Sequence, residues 1–386
     1  MAAGNFLIGF GGEDAMKKWL VAALCVMLAL SLVACGGDAG NGGGTDGKLT
    51  KENVKIGLIY IGDPSDNGYN YAHEKGRLYM QEQLGLRDDQ MIVKANVSED
   101  SACADAINEL IESGCNIIFA NSFGFMDFMD EAAKEHPEVY FCHATGIKSN
   151  ETNFCNYFGR VYQPRYLAGI AAGMRTETNK LGYVAAFSNS ECNSGINAFT
   201  LGAQSVNPDI EVIVKYTNSW YDPTGERQAA EALLDQGCDV IAQHVDTTGP
   251  QVAAQERGKW GCGYNNDMTE FAPDAHLCAP VWNWGAIMTQ LVEDALNGTF
   301  TGGIHLGSMA IGTCYLSPLS KNVAPGTEEK IKEAYDRIVD ENDEFDVFNG
   351  PIYDNEGNLQ IAEGEKASDL LIAQQMTWLV KGVRVD

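Results

Sequence analysis

From residue 54 onward, short apolar runs recur along the chain, each separated from the next by an amphipathic or polar stretch. Val54–Ile61, Met91–Ala95, Asn116–Ala120, Val139–His143, Leu181–Ala186, Glu211–Tyr216 and Asp239–Gln243 read as strands. Apolar content that is continuous, not alternating, marks strands buried on both faces. With helical patterns between them, it predicts parallel sheets covered by helices. Asp222-Pro223-Thr224 predicts a helix start, a capping side chain followed by a proline where no amide donor is needed. Gly237 stops the same helix.

The pattern occurs twice. Ala106–Ser122 and Ala229–Val245 share an amphipathic helix, a stop glycine, cysteine, Asn or Asp, and an apolar run; Gly114 and Gly237 lie 237 − 114 = 123 positions apart. Lys55–Tyr60 matches Lys180–Ala185 at an offset of 125, and the Gly68 and Gly195 loops match at 127. Three matches in one order predict two similar doubly wound α/β lobes. In such sheets ligands bind beyond the carboxyl ends of the strands, so facing lobes make a cleft that a hinge can close.

The segment before the first lobe has a different character. Met16–Cys35 combines Lys17 and Lys18, an apolar run over Leu20–Leu30, and small or aliphatic residues up to Cys35. This reads as a secretory signal peptide, too short in its apolar part to span a bilayer. Leu32-Val33-Ala34-Cys35 resembles the lipobox of bacterial lipoproteins, which implies cleavage before Cys35 and lipid on its thiol. Residues 1–15 read as an upstream extension, and the glycine-rich stretch over 36–50 as a flexible tether. The expectation is a body anchored to the membrane on its extracytoplasmic face, not one that spans it.

Bulk composition narrows the partners. A hydrophobic content of 45% with 9% aromatics is globular, and a net charge of −27 disfavours nucleic acid and anionic lipid surfaces. Of the 11 cysteines, Cys25 is expected to leave with the signal and Cys35 to carry lipid; the other nine form no C-x-x-C pair, and several, such as Cys115, Cys142, Cys155 and Cys238, lie in apolar contexts. They read as buried thiols, with neither a disulfide framework nor a metal site. No phosphate-binding loop, nucleophile elbow or zinc-protease motif is present, and no enzyme activity or cofactor is expected.

Aromatics and amides recur where strands end, and lysine and arginine are scarce there. Asp66, Tyr69 and Asn70 follow the first strand, Phe123 and Phe125 the third, and His143 closes the fourth. Glu191, Asn193, Trp220, Gln243, Asp267, Asn283 and Trp284 hold comparable places in the second half. That chemistry suits a flat, neutral, hydrogen-bonding ligand held between ring faces.

These loops resemble the basic membrane protein family of substrate-binding lipoproteins of ABC importers, including its nucleoside receptors. The likeness covers nearly all of 52–386. Asp66-Asn67-Gly68-Tyr69-Asn70 is similar to the family's Asp-x-x-Phe-Asn loop, and Ser219-Trp220-Tyr221-Asp222-Pro223 to its Ser-Phe-x-Asp-Pro element. The resemblance implies a type I periplasmic-binding-protein-like fold, with lobe 1 over 51–160 plus about 283–310 and lobe 2 over 161–282 plus about 311–386. It nominates Tyr69 and Trp220 as a ring clamp, and an ABC permease as partner. Three positions depart from the family's pattern: Asn265 replaces an aspartate that serves ribose hydroxyls, a lysine near Asn283-Trp284 is absent, and His143 stands for a base-contacting aspartate. The reading is therefore a purine base or nucleoside, adenine-type favoured. A ligand-sensing surface lipoprotein and a ribose-type sugar binder are the alternatives.

Overall fold

The computed structural model describes residues 48–386 apart from Asn67 and Glu341. The signal segment, Cys35 and most of the tether lie outside the described residues. Within them no helix is long and apolar enough to cross a membrane.

The chain begins with β1 (Ile56–Ile59), α1 (Tyr69–Leu84), β2 (Met91–Lys94), α2 (Ser101–Glu112), β3 (Ile117–Ala120), α3 (Met126–Glu135), β4 (Tyr140–Ala144) and β5 (Phe154–Gly159). It continues through α4 (Tyr162–Arg175), β6 (Lys180–Ala185), α5 (Ser190–Val206), β7 (Glu211–Tyr216), α6 (Pro223–Asp235), β8 (Val240–His244), α7 (Gly249–Glu256), β9 (Trp260–Cys262) and β10 (His276–Cys278). Then come β11 (Pro280–Trp282), α8 (Trp284–Asn297), β12 (Gly303–Gly307), β13 (Cys314–Leu316), α9 (Thr327–Val339), β14 (Ile352–Tyr353), β15 (Leu359–Ile361) and β16 (Val383–Val385).

Two six-stranded sheets organise these elements, in the orders β12-β5-β4-β3-β1-β2 and β10-β9-β8-β6-β7-β16. Every pairing within them is parallel. The first sheet and its helices form lobe 1, the second lobe 2. The chain passes between them three times: from β5 into α4, from β10 through β11 into α8, and from β12 into β13. Antiparallel pairing of β11 with β13 ties two of these crossings together. Trp282 and Trp284 stack there at 4.3 Å, so the hinge has a buried aromatic core.

The sequence repeat is a structural repeat. β1 lies between β2 and β3 just as β6 lies between β7 and β8. Gly114 (φ 83°) and Gly237 (φ 91°) both take the left-handed conformation that ends a helix and turns the chain into a strand. The polar residue after each cysteine ties that strand to the start of its lobe. Asn116 Oδ1 accepts from the Lys55 amide at 3.0 Å, and Asp239 Oδ2 from the Glu177 and Thr178 amides at 2.7 and 3.0 Å. Asp222 caps α6 by accepting from the Gly225 amide at 3.0 Å, with Pro223 at the first position. All nine cysteines of the described residues are buried and unpaired.

Candidate functional site

A cleft of about 700 Å³ opens between the lobes at the carboxyl ends of both sheets. Its lining follows a rule of position. Ile61, Asn96, Phe187, Asn218, Asp246 and Tyr264 each lie two residues past the end of a strand, and Asn121 and Thr145 one. At that point the strand is ending, and a side chain can turn along the sheet edge while the last ladder bonds, such as Asn218 amide to Ala186 carbonyl at 2.8 Å, still hold the backbone. Three of these residues hold left-handed backbone: Asn96 (φ 57°), Thr145 (φ 68°) and Asn218 (φ 57°). For a β-branched threonine that conformation is strained, and strain of this kind gathers where function fixes geometry.

The lobe 1 wall satisfies itself. Asp66 accepts from the amides of Gly68, Asn70 and Tyr71 at 2.8, 3.0 and 2.9 Å, so its carboxylate is the cap of α1. Asn70 Nδ2 also donates to Asp66, while Asn70 Oδ1 accepts from the Gly62 amide and from Asn121 Nδ2. The Tyr69 hydroxyl donates to the Asn121 carbonyl at 2.5 Å. His73 (4.6 Å) and Trp284 (6.2 Å) meet the Tyr69 ring edge-to-face and fix its plane. Phe123 extends from a 3-10 turn, 49% exposed, onto the rim.

Lobe 2 brings the unspent chemistry. Trp220 packs at 5.4 Å against Phe187 and at 6.0 Å from His244. Tyr264 rests on the buried Arg165 guanidinium, 4.1 Å from its ring centroid, and accepts from Trp282 Nε1 at 3.2 Å. Glu191, in the first turn of α5, has His244 Nε2 3.5 Å away. Burial pushes its carboxyl up to about 7, against the pull of Arg165. Burial also holds the Asp246 carboxyl well above the ordinary range, opposed by the bond from Asn265 Nδ2 at 2.9 Å and reinforced by Glu226, Asp66 and Glu191. Burial and the nearby Arg165 charge keep His244 neutral. No lysine or arginine is among the lining residues, and no cluster that would hold a metal occurs among the described residues.

The lobes touch across the cleft mouth. Asn266 Nδ2 of lobe 2 donates to the Gly68 carbonyl at 3.1 Å, and Lys75 of α1 donates to Asn266 Oδ1 at 2.9 Å. A Cβ built at Gly68 would run into the Asp246 carbonyl. The conformation is closed.

Of the residues expected from sequence, Asp66, Tyr69, Asn70, Phe123, Glu191 and Trp220 line the cleft. The others stand elsewhere. Phe125 is buried in the lobe 1 core with Met129. His143 lies within β4, where its Nε2 is 2.6 Å from the Ser122 carbonyl and burial lowers its pKa to about 4. Asn193 anchors the C-terminal segment by donating to the Met376 carbonyl at 3.0 Å. Gln243 is spent on the Val245 and Thr247 carbonyls and shapes the loop that carries Asp246. Asp267 caps its own turn through the Thr269 amide at 2.9 Å. Asn283 donates to the Gly312 carbonyl at the hinge, and Trp284 is wholly buried there. Asp246, Tyr264, Phe187, Asn218, Asn96, Asn121 and Thr145 were not among the expected residues; the signal that finds them is the position one or two past each strand.

A family model described as ABC transporter substrate-binding protein PnrA-like matches residues 53–310. A protein of Brucella abortus named as a purine-binding protein is 37% identical over 339 residues, covering 86% of this chain and 93% of its own. A Haloferax volcanii protein named for glucose binding in an ABC transporter is 35% identical over 332 residues, covering 86% and 81%. Among solved structures, an ABC transporter solute-binding protein from Conexibacter woesei matches with a TM-score of 0.60 at 18% identity, covering 74% of this chain and 95% of that one. At that identity the likeness speaks for the fold alone.

Proposed function

This chain belongs to the PnrA-like family of ABC transporter substrate-binding proteins, and from that premise we propose that it captures a purine base or nucleoside, adenine-type favoured, and delivers it to an ABC permease. The observation that carries this reading is the cleft itself. Aromatic rings enter it from both lobes, Tyr69 on one side and Trp220 on the other, and no lysine or arginine is among its described lining residues. A volume of about 700 Å³ falls within the roughly 300–1,000 Å³ usual for small-ligand sites. A heteroaromatic ring gains from stacking on either face, and its polar edge meets the carboxyl groups of Glu191 and Asp246. The purine-binding name of the Brucella relative agrees with this.

The glucose-binding name of the Haloferax relative favours a sugar as the second reading. Calorimetric titration of residues 49–386 with adenine, adenosine, hypoxanthine and glucose decides between them. A purine should bind with a micromolar Kd or tighter and glucose should not; the reverse result would discard the purine assignment.

The same proposal places the protein outside the cytoplasm on a lipid carried by Cys35. Radiolabelled palmitate should enter the wild-type protein, and Cys35→Ala should leave it unlabelled.

A further inference from the structure

Resting on the purine reading of the cleft, we infer that Glu191 takes up a proton as the lobes close and in that form recognises a ring nitrogen flanked by an amino group. The ligand class this suits is a heterocycle with a donor beside an acceptor on its ring edge, an aminopurine in the purine reading, bound together with one proton.

The geometry behind this is the company Glu191 keeps. Among the described residues no hydrogen bond reaches its carboxyl oxygens; His244 Nε2 stands 3.5 Å off. Asp246 lies on the same cavity with one oxygen held by Asn265. Asp66, also on that cavity, is fully engaged in capping α1. From the remaining packed elements come Tyr264, Tyr69 and Arg165. Arg165 donates to the Tyr183 hydroxyl and the Gln243 carbonyl and lies beneath the Tyr264 ring. On the hinge side, a small second cavity shared by Glu191 also touches Arg160, whose guanidinium is paired with Asp369 at 2.7 Å. The free acids of the cleft thus outnumber its free cations. Once closure removes water, keeping both Glu191 and Asp246 ionised is costly. The value of about 7 for Glu191 agrees with that balance, while in an open cleft the carboxyl returns toward its solvated range.

A neutral carboxyl presents an O–H donor beside a C=O acceptor. An amino-substituted ring nitrogen presents the complement, a lone pair beside an N–H. Both hydrogen bonds form at once only when the proton is on the acid. The ionised form would set its negative charge against the ring nitrogen's lone pair. Sugar hydroxyls, which donate and accept by rotation, impose no such requirement. An oxo-substituted ring pairs an N–H with a C=O and suits the neutral acid in a different register.

The test uses adenine as the probe, titrated calorimetrically from about pH 6 to about pH 8.5 in buffers of differing ionisation heat. Wild type should take up close to one proton per adenine across this range, because the open-cleft carboxyl is already ionised at about pH 6, with affinity falling toward tenfold per pH unit. Glu191→Gln keeps a donor beside an acceptor without a titrating proton. It should bind at high pH at least as well as wild type, with a flat pH profile. Glu191→Ala should lose at least tenfold throughout. Adenine binding by wild type with level affinity and no proton uptake would overturn the inference and leave the purine reading standing. So would a pH profile that flattens in Asp246→Asn but persists in Glu191→Gln. Binding of glucose with no binding of any purine would remove both.

Discussion

Closure makes a quantitative demand at Gly68. Its carbonyl accepts from Asn266 of the other lobe, and a Cβ at this position would meet the Asp246 carbonyl oxygen far inside contact distance, with the carbonyl carbon at 3.3 Å and Cβ at 3.4 Å. Gly68→Ala would require the lobes to part locally by roughly 1 Å, since the obstacle is backbone and not the free end of a side chain. Overpacking of that order costs about 1–3 kcal/mol, and stretching the Asn266 bond adds about 0.5–1.5 kcal/mol. The penalty falls on the closed state, because opening relieves it. Together these weaken ligand binding by about 1.5–4.5 kcal/mol, or roughly 10- to 2,000-fold in Kd. Calorimetry measures the loss, and solution scattering should show the variant staying extended at ligand concentrations that compact wild type. The denaturation midpoint of the empty variant should match wild type. A Kd within twofold of wild type would refute the interlobe contact as a determinant of affinity. A matching loss of stability in the empty protein would show that the strain sits within one lobe.

Other perturbations separate the remaining parts of the structure. Tyr69→Ala and Trp220→Ala should each weaken adenine binding by about 1–3 kcal/mol if stacking dominates; titrations in which neither variant changes Kd would dismiss the clamp. Burial depresses the pKa of His143 to about 4, so below about pH 6.5 the unfolded chain binds a proton that the native state refuses. Stability from this group therefore falls as pH falls through that window, by up to about 1.4 kcal/mol per pH unit. His143→Asn should flatten the loss of urea midpoint between pH 7.5 and 5, and an unchanged slope would contradict it. Glu226 is buried and accepts from the Asp222 amide, the Thr247 amide and the Thr247 hydroxyl. Glu226→Ala should cost about 2–4 kcal/mol in urea unfolding by orphaning these donors and should loosen the loop carrying Asp246.

The fold could be read in the chain because its signals are local. Buried parallel strands are continuous apolar runs, and Gly114 and Gly237 mark the same turn twice. Elements whose pairing depends on distant partners were harder to see. β12 completes the lobe 1 sheet and β16 edges the lobe 2 sheet only because the chain returns through the hinge; neither short run announces that by itself. The site divided along a similar line. Tyr69, Trp220 and Glu191 were legible because aromatics and acids after strands have few packing roles. Gln243 and His143 misled because residue type suggested a ligand contact while their place inside the ladder turned them toward backbone carbonyls. Asp246 sits two residues past β8 in a loop whose polar residues look alike in sequence. What distinguishes it is an oxygen left over once Asn265 is satisfied, and only the three-dimensional hydrogen-bond inventory supplies that.

The two halves solve the same local problem differently, and that difference locates specificity. Each lobe must cap the helix that follows its first strand. In lobe 1 the cap is Asp66, whose carboxylate is consumed by three backbone amides. In lobe 2 it is Asn189, which accepts from the Cys192 amide at 2.9 Å and leaves the neighbouring acid, Glu191, free to face the cleft. The third strands repeat the contrast. Asn121 spends its amide on the Ile61 amide and on Asn70, whereas among the described residues Asp246 holds only the bond from Asn265. Lobe 1 therefore presents a pre-satisfied wall that contributes shape and a ring, and lobe 2 presents groups with hydrogen-bonding capacity left over. A ligand gains little polar energy from lobe 1 alone. It should dock first on lobe 2, with lobe 1 closing over it as a lid whose fit depends on flatness more than on polar pattern. Changes of ligand within this architecture then require substitutions at the ends of β6, β7, β8 and β9, and leave the Tyr69 side untouched.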